Sequence, residues 1–239
     1  MSEPFLSIVV PAYNEARRIR DTLERLCRFK ESQPYSIELI VVDDGSTDQT
    51  VETLSELPGV RLVRNDRNHG KGFTVRHGVL EARGEFVLFT DADLSAPIEE
   101  ADKLLSALQA SGADAAVGSR ALQRELIGIH QPWFRDMAGR FFNLLVRVFT
   151  GLRLHDTQCG FKLFKRSSTQ RAFERMRVEG FGFDPELLFL IERGGGRVVE
   201  VPVRWNDNPA TKVRFLRDST RMFLDLIAIR WRAFMGMYL

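Results

Sequence analysis

Short apolar runs alternate with helical patterns through the first half of the chain, and this alternation constrains the fold more than any other feature. Runs without polar interruption are typical of strands that are buried on both faces of a parallel sheet. Between the first two runs, Ile19, Leu23 and Leu26 fall on one stripe of a helix. Strands separated by helices predict an α/β fold with a doubly wound, mostly parallel sheet. The predicted strands are Leu6–Val10, Leu39–Val42, Val60–Val63, Glu85–Phe89 and Ala115–Val117.

Helix signals lie between and beyond these strands. Ser46 and Gln49 have the spacing of a capping box, which predicts a helix that runs on through Leu57. Pro97, which is followed by acidic residues, marks the first turn of another helix. After residue 120 the pattern becomes irregular before helical periodicity resumes. Further helices are predicted over Gly70–Ala82, over Phe134–Phe149 and from about Phe215 onward.

The composition bounds the class of protein. The chain has 239 residues, 44% hydrophobic and 28% charged, so it is long enough to form one globular domain with a large core. A net charge of +2 argues against a nucleic-acid partner. Cys27 and Cys159 stand in separate contexts, which indicates a reducing compartment and no cysteine metal site. The short acidic start is not a secretory signal, and no run reaches the roughly 18 apolar residues that span a bilayer.

Polar motifs follow three of the predicted strands. Ligands of open parallel sheets bind beyond the carboxyl ends of the strands, so these motifs are expected to meet at one site. In the third motif, two aspartates flank one small residue and can direct both carboxylates at one point, which suits Mg²⁺ or Mn²⁺ beside a diphosphate. A solvated turn with helix-capping aspartates is the alternative. The motifs are Pro11-Ala12-Tyr13-Asn14-Glu15, Asp43-Asp44-Gly45-Ser46 and Asp91-Ala92-Asp93.

A nucleotide is the ligand that the remaining polar residues favour. Asp43 and Asp44 can accept hydrogen bonds from a base or a ribose, with helix capping as the alternative and as the favoured role of Ser46. The stretch Asn68-His69-Gly70-Lys71-Gly72 precedes a helix, and its glycines would let the backbone approach a diphosphate. Because this stretch lacks the P-loop and dinucleotide spacings, neither a nucleoside triphosphatase nor a dehydrogenase is supported.

The motifs resemble, in order and spacing, those of the inverting family 2 glycosyltransferases of the GT-A fold. Motifs of the second half are similar to those of the dolichyl-phosphate glucosyltransferases and polyprenyl-phosphate glycosyltransferases. The resemblance implies one GT-A domain over residues 1–239, with a nucleotide-sugar-binding half (1–119) and an acceptor half (120–239) that carries amphipathic helices. The second-half motifs are Gly118-Ser119-Arg120, the run from Asp156 to Phe164, the run from Phe183 to Leu188, Trp205-Asn206-Asp207 and Thr211-Lys212-Val213.

Site residues follow from the resemblance, position by position. The implied nucleotide-sugar-binding residues are Pro11, Ala12, Tyr13, Glu15, Asp43, Asp44, Lys71, Gly72, Asp91, Ala92, Asp93 and Lys212. The implied acceptor-phosphate residues are Arg120, Arg135 and Arg140, and the candidate catalytic residues are Asp91, Asp93, Arg120 and Arg135. Asp91 and Asp93 are the implied ligands of Mg²⁺ or Mn²⁺. Two positions depart from the related mannose-transferring enzymes, since Ser95 stands in place of a glutamine and Gly139 in place of a serine.

The activity that the resemblance implies is transfer of a hexose, with UDP-glucose as the expected donor, to a polyprenyl or dolichyl phosphate with inversion. A phosphate monoester is largely a dianion at neutral pH, so it needs no general base but does need arginines around it. One alternative is an enzyme like dolichyl-phosphate mannose synthase that uses GDP-mannose. A second is transfer to a soluble sugar with Asp184 as the base, and a third is nucleotide binding without transfer. Asp184 otherwise positions the sugar or a loop, or caps the helix before Pro185.

Two helices in the second half are amphipathic. The first carries Phe141, Phe142, Leu144, Leu145 and Val148 opposite charged residues, and the segment after Phe215 repeats the pattern. Such helices either lie in the headgroup layer of a membrane or pack on the core. Because the inferred substrate is a lipid, the two interpretations are about equally favoured. We expect a cytoplasmic protein that is peripheral on the cytoplasmic membrane face. The oligomeric state stays open.

Overall fold

A seven-stranded sheet forms the centre of the chain in a computed structural model that describes residues 3–207 and 215–238. The strands of the sheet are β1 (Leu6–Ala12), β2 (Ile37–Asp43), β3 (Val60–Arg64), β4 (Phe86–Thr90), β5 (Ala115–Ser119), β7 (Phe161–Lys165) and β8 (Val198–Pro202), and β6 (Ile127–Ile129) and β9 (Trp205–Asn206) form a separate pair. The helices are α1 (Ile19–Ser32), α2 (Thr50–Ser55), α3 (Lys71–Glu81), α4 (Ala101–Ser111), α5 (Trp133–Thr150), α6 (Arg166–Arg175), α7 (Phe183–Arg193) and α8 (Phe215–Phe234), with short 3-10 turns at Ile98–Glu100 and Arg124–Leu126.

The strand order is β3-β2-β1-β4-β7-β5-β8. All pairings are parallel except those of β7, which runs antiparallel to both β4 and β5. The predicted doubly wound, mostly parallel α/β sheet is therefore confirmed. The polar motifs after β1, β2 and β4 lie at one edge of the sheet because these three parallel strands are neighbours.

Both faces of the sheet are covered. Along β1, Ile8 packs into an apolar cluster with residues of α1 and α4, whereas Val9 packs into a second cluster with residues of α3 and α7. Alternate side chains of a strand point to opposite faces, so a run buried on both sides must be apolar throughout. This requirement is the reason why continuous apolar runs in the sequence predict such strands.

The predicted capping box is wrong. Helix α2 begins at Thr50 with Gln49 as its N-cap residue, and it ends at Ser55. The Ser46 hydroxyl instead accepts a hydrogen bond from the backbone N–H of Asn14 at 2.8 Å, in the loop after β1. A tertiary partner has thus taken the side chain that the local spacing assigned to the helix.

Helices α5 and α8 pack on each other, and α7 contacts both. The apolar residues of α5 divide between two sides: Phe142 and Val146 are buried, while Phe141, Leu144 and Val148 are exposed. On α8, Leu226 is buried, whereas Trp231 and Phe234 are 61% and 82% exposed. Packing on the core therefore does not account for the apolar character of either helix. Within the described residues, no helix has the length and apolarity needed to cross a membrane.

Candidate active site

A cavity of about 660 Å³ opens at the carboxyl ends of β1, β2 and β4. We call it the donor cavity. Most of the residues predicted to bind a nucleotide sugar meet there, together with Arg18, Phe181 and Arg217, which the sequence did not single out. The predicted residues in its wall are Pro11, Ala12, Tyr13, Glu15, Asp44, Lys71, Asp91, Ala92 and Asp93.

The loops around the donor cavity hold each other by hydrogen bonds between side chains and backbone. The Asn14 side chain accepts from the Thr47 N–H at 2.8 Å, and the Glu15 N–H donates to the Thr50 hydroxyl at 2.8 Å. Asn14 itself has φ +53°, a left-handed conformation that asparagine tolerates better than most residues. The loop after β1 is therefore set by the loop after β2.

The two adjacent aspartates after β2 have different surroundings. Asp44 lines the donor cavity, and its carboxylate accepts hydrogen bonds from the backbone N–H groups of His69 (3.0 Å) and Gly70 (2.9 Å). Asp43 is fully buried, accepts from the Ser46 N–H at 3.2 Å and is absent from the cavity wall. Of this predicted pair, only Asp44 faces the cavity.

Two glycines of the glycine-rich loop pack closely against the backbone of other residues, although Asn68, Gly70 and Lys71 also line the donor cavity. Gly70 has φ +107°, and a Cβ atom there would lie 2.6 Å from the carbonyl oxygen of Glu179. At Gly72 a Cβ atom would lie 2.4 Å from the carbonyl oxygen of Val178, and the Gly72 N–H donates to Glu179 at 2.7 Å. Gly72 is not among the residues that line the donor cavity, and its expected contact with the diphosphate stays a prediction. Its role is to seat the start of α3, which carries Lys71.

Asp91 and Asp93 lie where the donor cavity meets a second, larger one. Lys71 Nζ is 2.7 Å from Asp91 Oδ1, and this carboxylate raises the pKa of Lys71 against the opposing effect of burial. Burial raises the pKa of Asp93, and the charge of Asp91 raises it further. Arg18 Nη1 lies 3.9 Å from Asp93 Oδ2. Two crowded carboxylates of this kind favour a bound cation.

The donor set is small for a resident metal site. Among residues 3–207 and 215–238, no group of three or more histidine, cysteine, aspartate or glutamate side chains is arranged to hold a metal ion. Mg²⁺ and Mn²⁺ are commonly held by one or two carboxylates together with substrate phosphates. The pair Asp91 and Asp93 therefore fits a divalent cation that is shared with a diphosphate.

The second cavity, which we call the acceptor cavity, has a volume of about 830 Å³ and two chemically different ends. Its polar end contains Lys71, Asp91, Asp93, Arg120 and Asp184. Its apolar end lies between α5 and α8 and is lined by Phe141, Phe142, Leu145, Met222 and Phe223. Ser95 and Gly139, the two departures from the related mannose-transferring enzymes, also line this cavity.

Arg120 is held at the polar end by Asp156. Its Nε and Nη2 atoms lie 2.6 Å and 2.9 Å from the two carboxylate oxygens, and the Arg120 backbone N–H donates to the same group at 3.0 Å. Burial alone would raise the pKa of Asp156, but the guanidinium outweighs it and lowers that pKa to about 2. The guanidinium also lies 5.3 Å from the centre of the Trp205 ring.

The other two predicted arginines lie on α5. Arg135 lines both the acceptor cavity and an adjoining cavity of about 290 Å³, whereas Arg140 lines only the adjoining one. Asp136 engages Arg140 at 3.2 Å and Arg124 at 3.1 Å. Arg120 and Arg135 therefore share the acceptor cavity, and Arg140 stands outside it.

Residues 7–173 match the glycosyl transferase family 2 profile, which covers the sheet from β1 to β7 and both aspartate motifs. The chain belongs to glycosyl transferase family 2. The transferase is 34% identical to the dolichyl-phosphate beta-glucosyltransferase of Saccharomyces cerevisiae over 99% of this chain and 77% of that protein. It is 37% identical to the enzyme of that name from Drosophila melanogaster and 34% identical to the one from Homo sapiens, in each case over 97% of this chain and 76% of the relative.

Solved structures of other glycosyltransferases share the fold. Glucosyl-3-phosphoglycerate synthase from Mycobacterium tuberculosis in complex with UDP superposes with a TM-score of 0.67 at 21% identity, over 95% of this chain and 79% of that one. The same synthase with Mn²⁺, UDP-glucose and phosphoglyceric acid gives a TM-score of 0.69 at 20% identity, over 95% and 80% of the two chains. The predicted GT-A fold is confirmed.

Other predictions for the transferase have mixed outcomes. Asp184 is not the N-cap residue of α7, because that helix begins at Phe183 with Gly182 as its cap. Lys212 and its neighbours lie outside the described residues, so the predicted closure over the diphosphate stays a prediction. The sequence analysis did not predict the ion pairs of Lys162 and Asp156, although both residues lie in the motif that runs from Asp156 to Phe164. The signal for Lys162 was its position inside the apolar strand run Phe161–Phe164.

Proposed function

We propose that this transferase moves glucose from UDP-glucose to a dolichyl or polyprenyl phosphate, with inversion at the anomeric carbon. The observation that carries the proposal is the acceptor cavity, whose charged end adjoins the donor cavity and whose apolar end runs between α5 and α8. A phosphorylated lipid has the same two parts in the same order. The names of the relatives, dolichyl-phosphate beta-glucosyltransferase, support the same acceptor.

The acceptor phosphate would be bound by Arg120 and Arg135. Guanidinium groups suit phosphate because their planar fork offers parallel donors. Asp156 fixes the orientation of Arg120 before the phosphate arrives, which reduces the side-chain entropy that binding would otherwise cost. Because the phosphate is largely a dianion at neutral pH, its oxygen attacks the anomeric carbon directly and no protein base is required.

The donor would lie in the donor cavity, in the N-terminal half of a single domain whose halves are residues 1–119 and 120–239. The Tyr13 ring stands at the wall of this cavity, where it can stack on a base. Lys71, Asp91 and Asp93 line both cavities, so the diphosphate belongs beside them and the sugar belongs beyond them in the acceptor cavity. In this proposal the bond to be broken lies at the boundary between the two cavities.

Asp91 and Asp93 would hold Mg²⁺ or Mn²⁺ together with the diphosphate. When bound, the cation neutralises charge on the leaving diphosphate. Lys71 adds a fixed positive charge at the same place, since it is held by Asp91 at 2.7 Å and lies 5.9 Å from the centre of the Phe181 ring. These residues bind the leaving group and carry out no proton transfer.

A membrane surface is the proposed place of reaction. The exposed apolar side chains of α5 and α8 recur at helical spacing and flank the apolar end of the acceptor cavity, and exposed arginines stand on the same helices. Aromatic and aliphatic side chains with basic neighbours are typical of helices that lie in the headgroup layer. The exposed apolar residues are Trp133, Phe134, Met137, Phe141, Leu144, Val148, Phe223, Leu224, Ile227, Trp231 and Phe234, and the exposed arginines are Arg140, Arg147, Arg217, Arg221 and Arg230.

A donor and acceptor screen tests the proposal. UDP-glucose, GDP-mannose and UDP-GlcNAc are each incubated with a polyprenyl phosphate or with a soluble sugar, in the presence of Mg²⁺ or Mn²⁺. We expect transfer from UDP-glucose to the lipid phosphate and a β-linked product. Transfer only to the soluble sugar would contradict the proposed acceptor, and transfer only from GDP-mannose would contradict the proposed donor.

A further inference from the structure

A lysine lies in the middle of the apolar sheet. Lys162 is fully buried in β7, where it pairs in register with Phe89 of β4 and Val117 of β5. Burial of an ammonium group is costly unless the group is paired and hydrogen-bonded, and an aliphatic side chain would fill the same position in a strand core without that cost. The residue therefore calls for a reason other than packing.

Two oxygen atoms accept hydrogen bonds from the ammonium group. Lys162 Nζ donates to the carbonyl oxygen of Cys159 at 2.5 Å and to Asp184 Oδ1 at 2.6 Å, and it lies 5.8 Å from the centre of the Phe89 ring. The Cys159 carbonyl belongs to the turn that leads into β7. Lys162 thus ties the first turn of α7, where Asp184 lies, to the strand beside β4.

Asp184 lines the acceptor cavity together with Lys71, Asp91 and Asp93, although its side chain is only 7% exposed. Among the residues that the structure describes, Lys162 is its hydrogen-bond donor and bonds Oδ1. Within residues 3–207 and 215–238, no hydrogen bond is assigned to the second oxygen, Oδ2, of this cavity-lining residue. A carboxylate with one oxygen fixed and the other facing a ligand recognises hydroxyl groups by direction.

We propose that Lys162 and Asp184 form a sugar-orienting pair, in which Asp184 Oδ2 accepts a hydrogen bond from a hydroxyl of the transferred hexose and Lys162 is the positioning residue that holds it there. This inference rests on the proposed function and names the residues that select the sugar. The location agrees with it, since the sugar lies beyond the diphosphate residues Lys71 and Asp91, in the same cavity as Asp184. A site built to bond a hydroxyl rejects analogues that lack it, because the buried acceptor is then left unpaired.

Binding rather than turnover is the sharpest test. Affinities for UDP and for UDP-glucose, measured by calorimetry with Mn²⁺ present, isolate the contribution of the sugar because UDP lacks it. We expect Asp184→Asn and Lys162→Met each to lower the affinity for UDP-glucose, relative to that for UDP, by about tenfold or more. UDP affinity itself should stay near that of the wild type. If either variant keeps the wild-type ratio of UDP-glucose affinity to UDP affinity, the proposed sugar-orienting pair is contradicted.

Matched controls are available on the same two elements. Lys165 is exposed on β7 and Glu192 is exposed on α7, so Lys165→Met and Glu192→Gln repeat the chemical changes away from the cavity. Both controls should keep the wild-type ratio. A similar loss of the ratio in the controls would mean that the effect is not specific to the pair, which would also overturn the assignment.

Wild-type protein supplies an arm that does not depend on any variant folding. Monodeoxy analogues of UDP-glucose, each lacking one sugar hydroxyl, are compared with the parent. At least one should bind about tenfold more weakly, and Asp184→Asn should not distinguish that analogue from the parent. Equal binding of all analogues by the wild type overturns the inference. If instead the wild type transfers no hexose to a polyprenyl phosphate, the proposed function fails, and that result is distinct from failure of the pair in an active enzyme.

Discussion

Arg120 and Asp156 form a two-pronged ion pair at the polar end of the acceptor cavity, with Nε 2.6 Å from Oδ2 and Nη2 2.9 Å from Oδ1. Asp156 is only 6% exposed, and its carboxylate also accepts a hydrogen bond from the Arg120 backbone N–H. The arginine that is expected to meet a lipid phosphate is therefore oriented by a partner 36 residues away in the chain. The position of the Arg120 guanidinium in the cavity therefore depends on Asp156.

Asp156→Asn should impair use of the acceptor more than binding of the donor. The amide removes the charge that orients Arg120, so we expect the acceptor KM to rise about tenfold or more. Breaking a buried pair also costs about 3 kcal/mol of folding stability. Acceptor kinetics, UDP affinity and a denaturant titration separate the two effects. A variant with a normal acceptor KM would show that Asp156 does not position Arg120.

Folding stability should fall in acid because of the same residue. The pKa of Asp156 is lowered from 3.8 to about 2 in the folded state, so its stabilising contribution is complete above pH 4 and is lost as the pH falls toward 2. The loss amounts to about 2 kcal/mol. Denaturant unfolding between pH 5 and about pH 2 measures it. Asp156→Asn should lack this component, and an equal acid dependence in both proteins would contradict the assignment.

Asp93→Asn should keep the fold and abolish most transfer. The amide carries no charge, so the site loses half of its carboxylate pair for a divalent cation. The measurement is turnover over a titration of Mg²⁺ or Mn²⁺, with the melting temperature as the folding control. Near-normal turnover without added metal would contradict a metal role for Asp93.

Arg135→Ala should weaken binding of the acceptor without weakening binding of the donor. The side chain lines the acceptor cavity but not the donor cavity, and its loss removes one of two guanidinium groups from the proposed phosphate site. We expect a rise of about tenfold or more in the acceptor KM with UDP affinity unchanged. Arg147, exposed on the same helix, supplies the control Arg147→Ala. A fall in UDP affinity with an unchanged acceptor KM would reverse the assignment.

Replacement of Trp231 and Phe234 by serine should release the protein from vesicles without unfolding it. Both side chains are exposed, so the change should alter stability by only about 0.5 kcal/mol. Wild-type binding should be stronger on anionic vesicles, by about 1 kcal/mol for each basic residue near the surface, and weaker as salt rises.

Flotation of vesicles and a melting curve on the same variant decide the role of α8. Leu226 is fully buried on that helix, so Leu226→Ala should lower stability by about 2–5 kcal/mol and serves as the contrasting control. Wild-type protein that does not bind vesicles, together with a large loss of stability in the serine variant, would return α8 to a purely structural role.

Local patterns in the sequence were sufficient for the first five strands and for the polar motifs that follow three of them, but they did not predict the strands after residue 120. A strand buried on both faces must be apolar throughout, and a parallel sheet brings its carboxyl ends together, so Asp44, Asp91 and Asp93 were predictable as neighbours. The motifs and their order were also sufficient for the family. These conclusions depend on residues close together in the chain, or on rules that hold for every sheet of this kind.

Tertiary structure alone decided which partners the polar side chains choose. Insertion of β7 antiparallel between β4 and β5 brings Lys162 beneath Asp184, and no local pattern specifies that pairing. Ser46 was assigned to a helix cap, yet it bonds Asn14, because a hydrogen-bonding side chain takes whichever partner the assembled loops provide. The sequence also could not show which apolar residues of α5 would be exposed, because an apolar stripe has the same pattern whether a protein core or a lipid surface covers it.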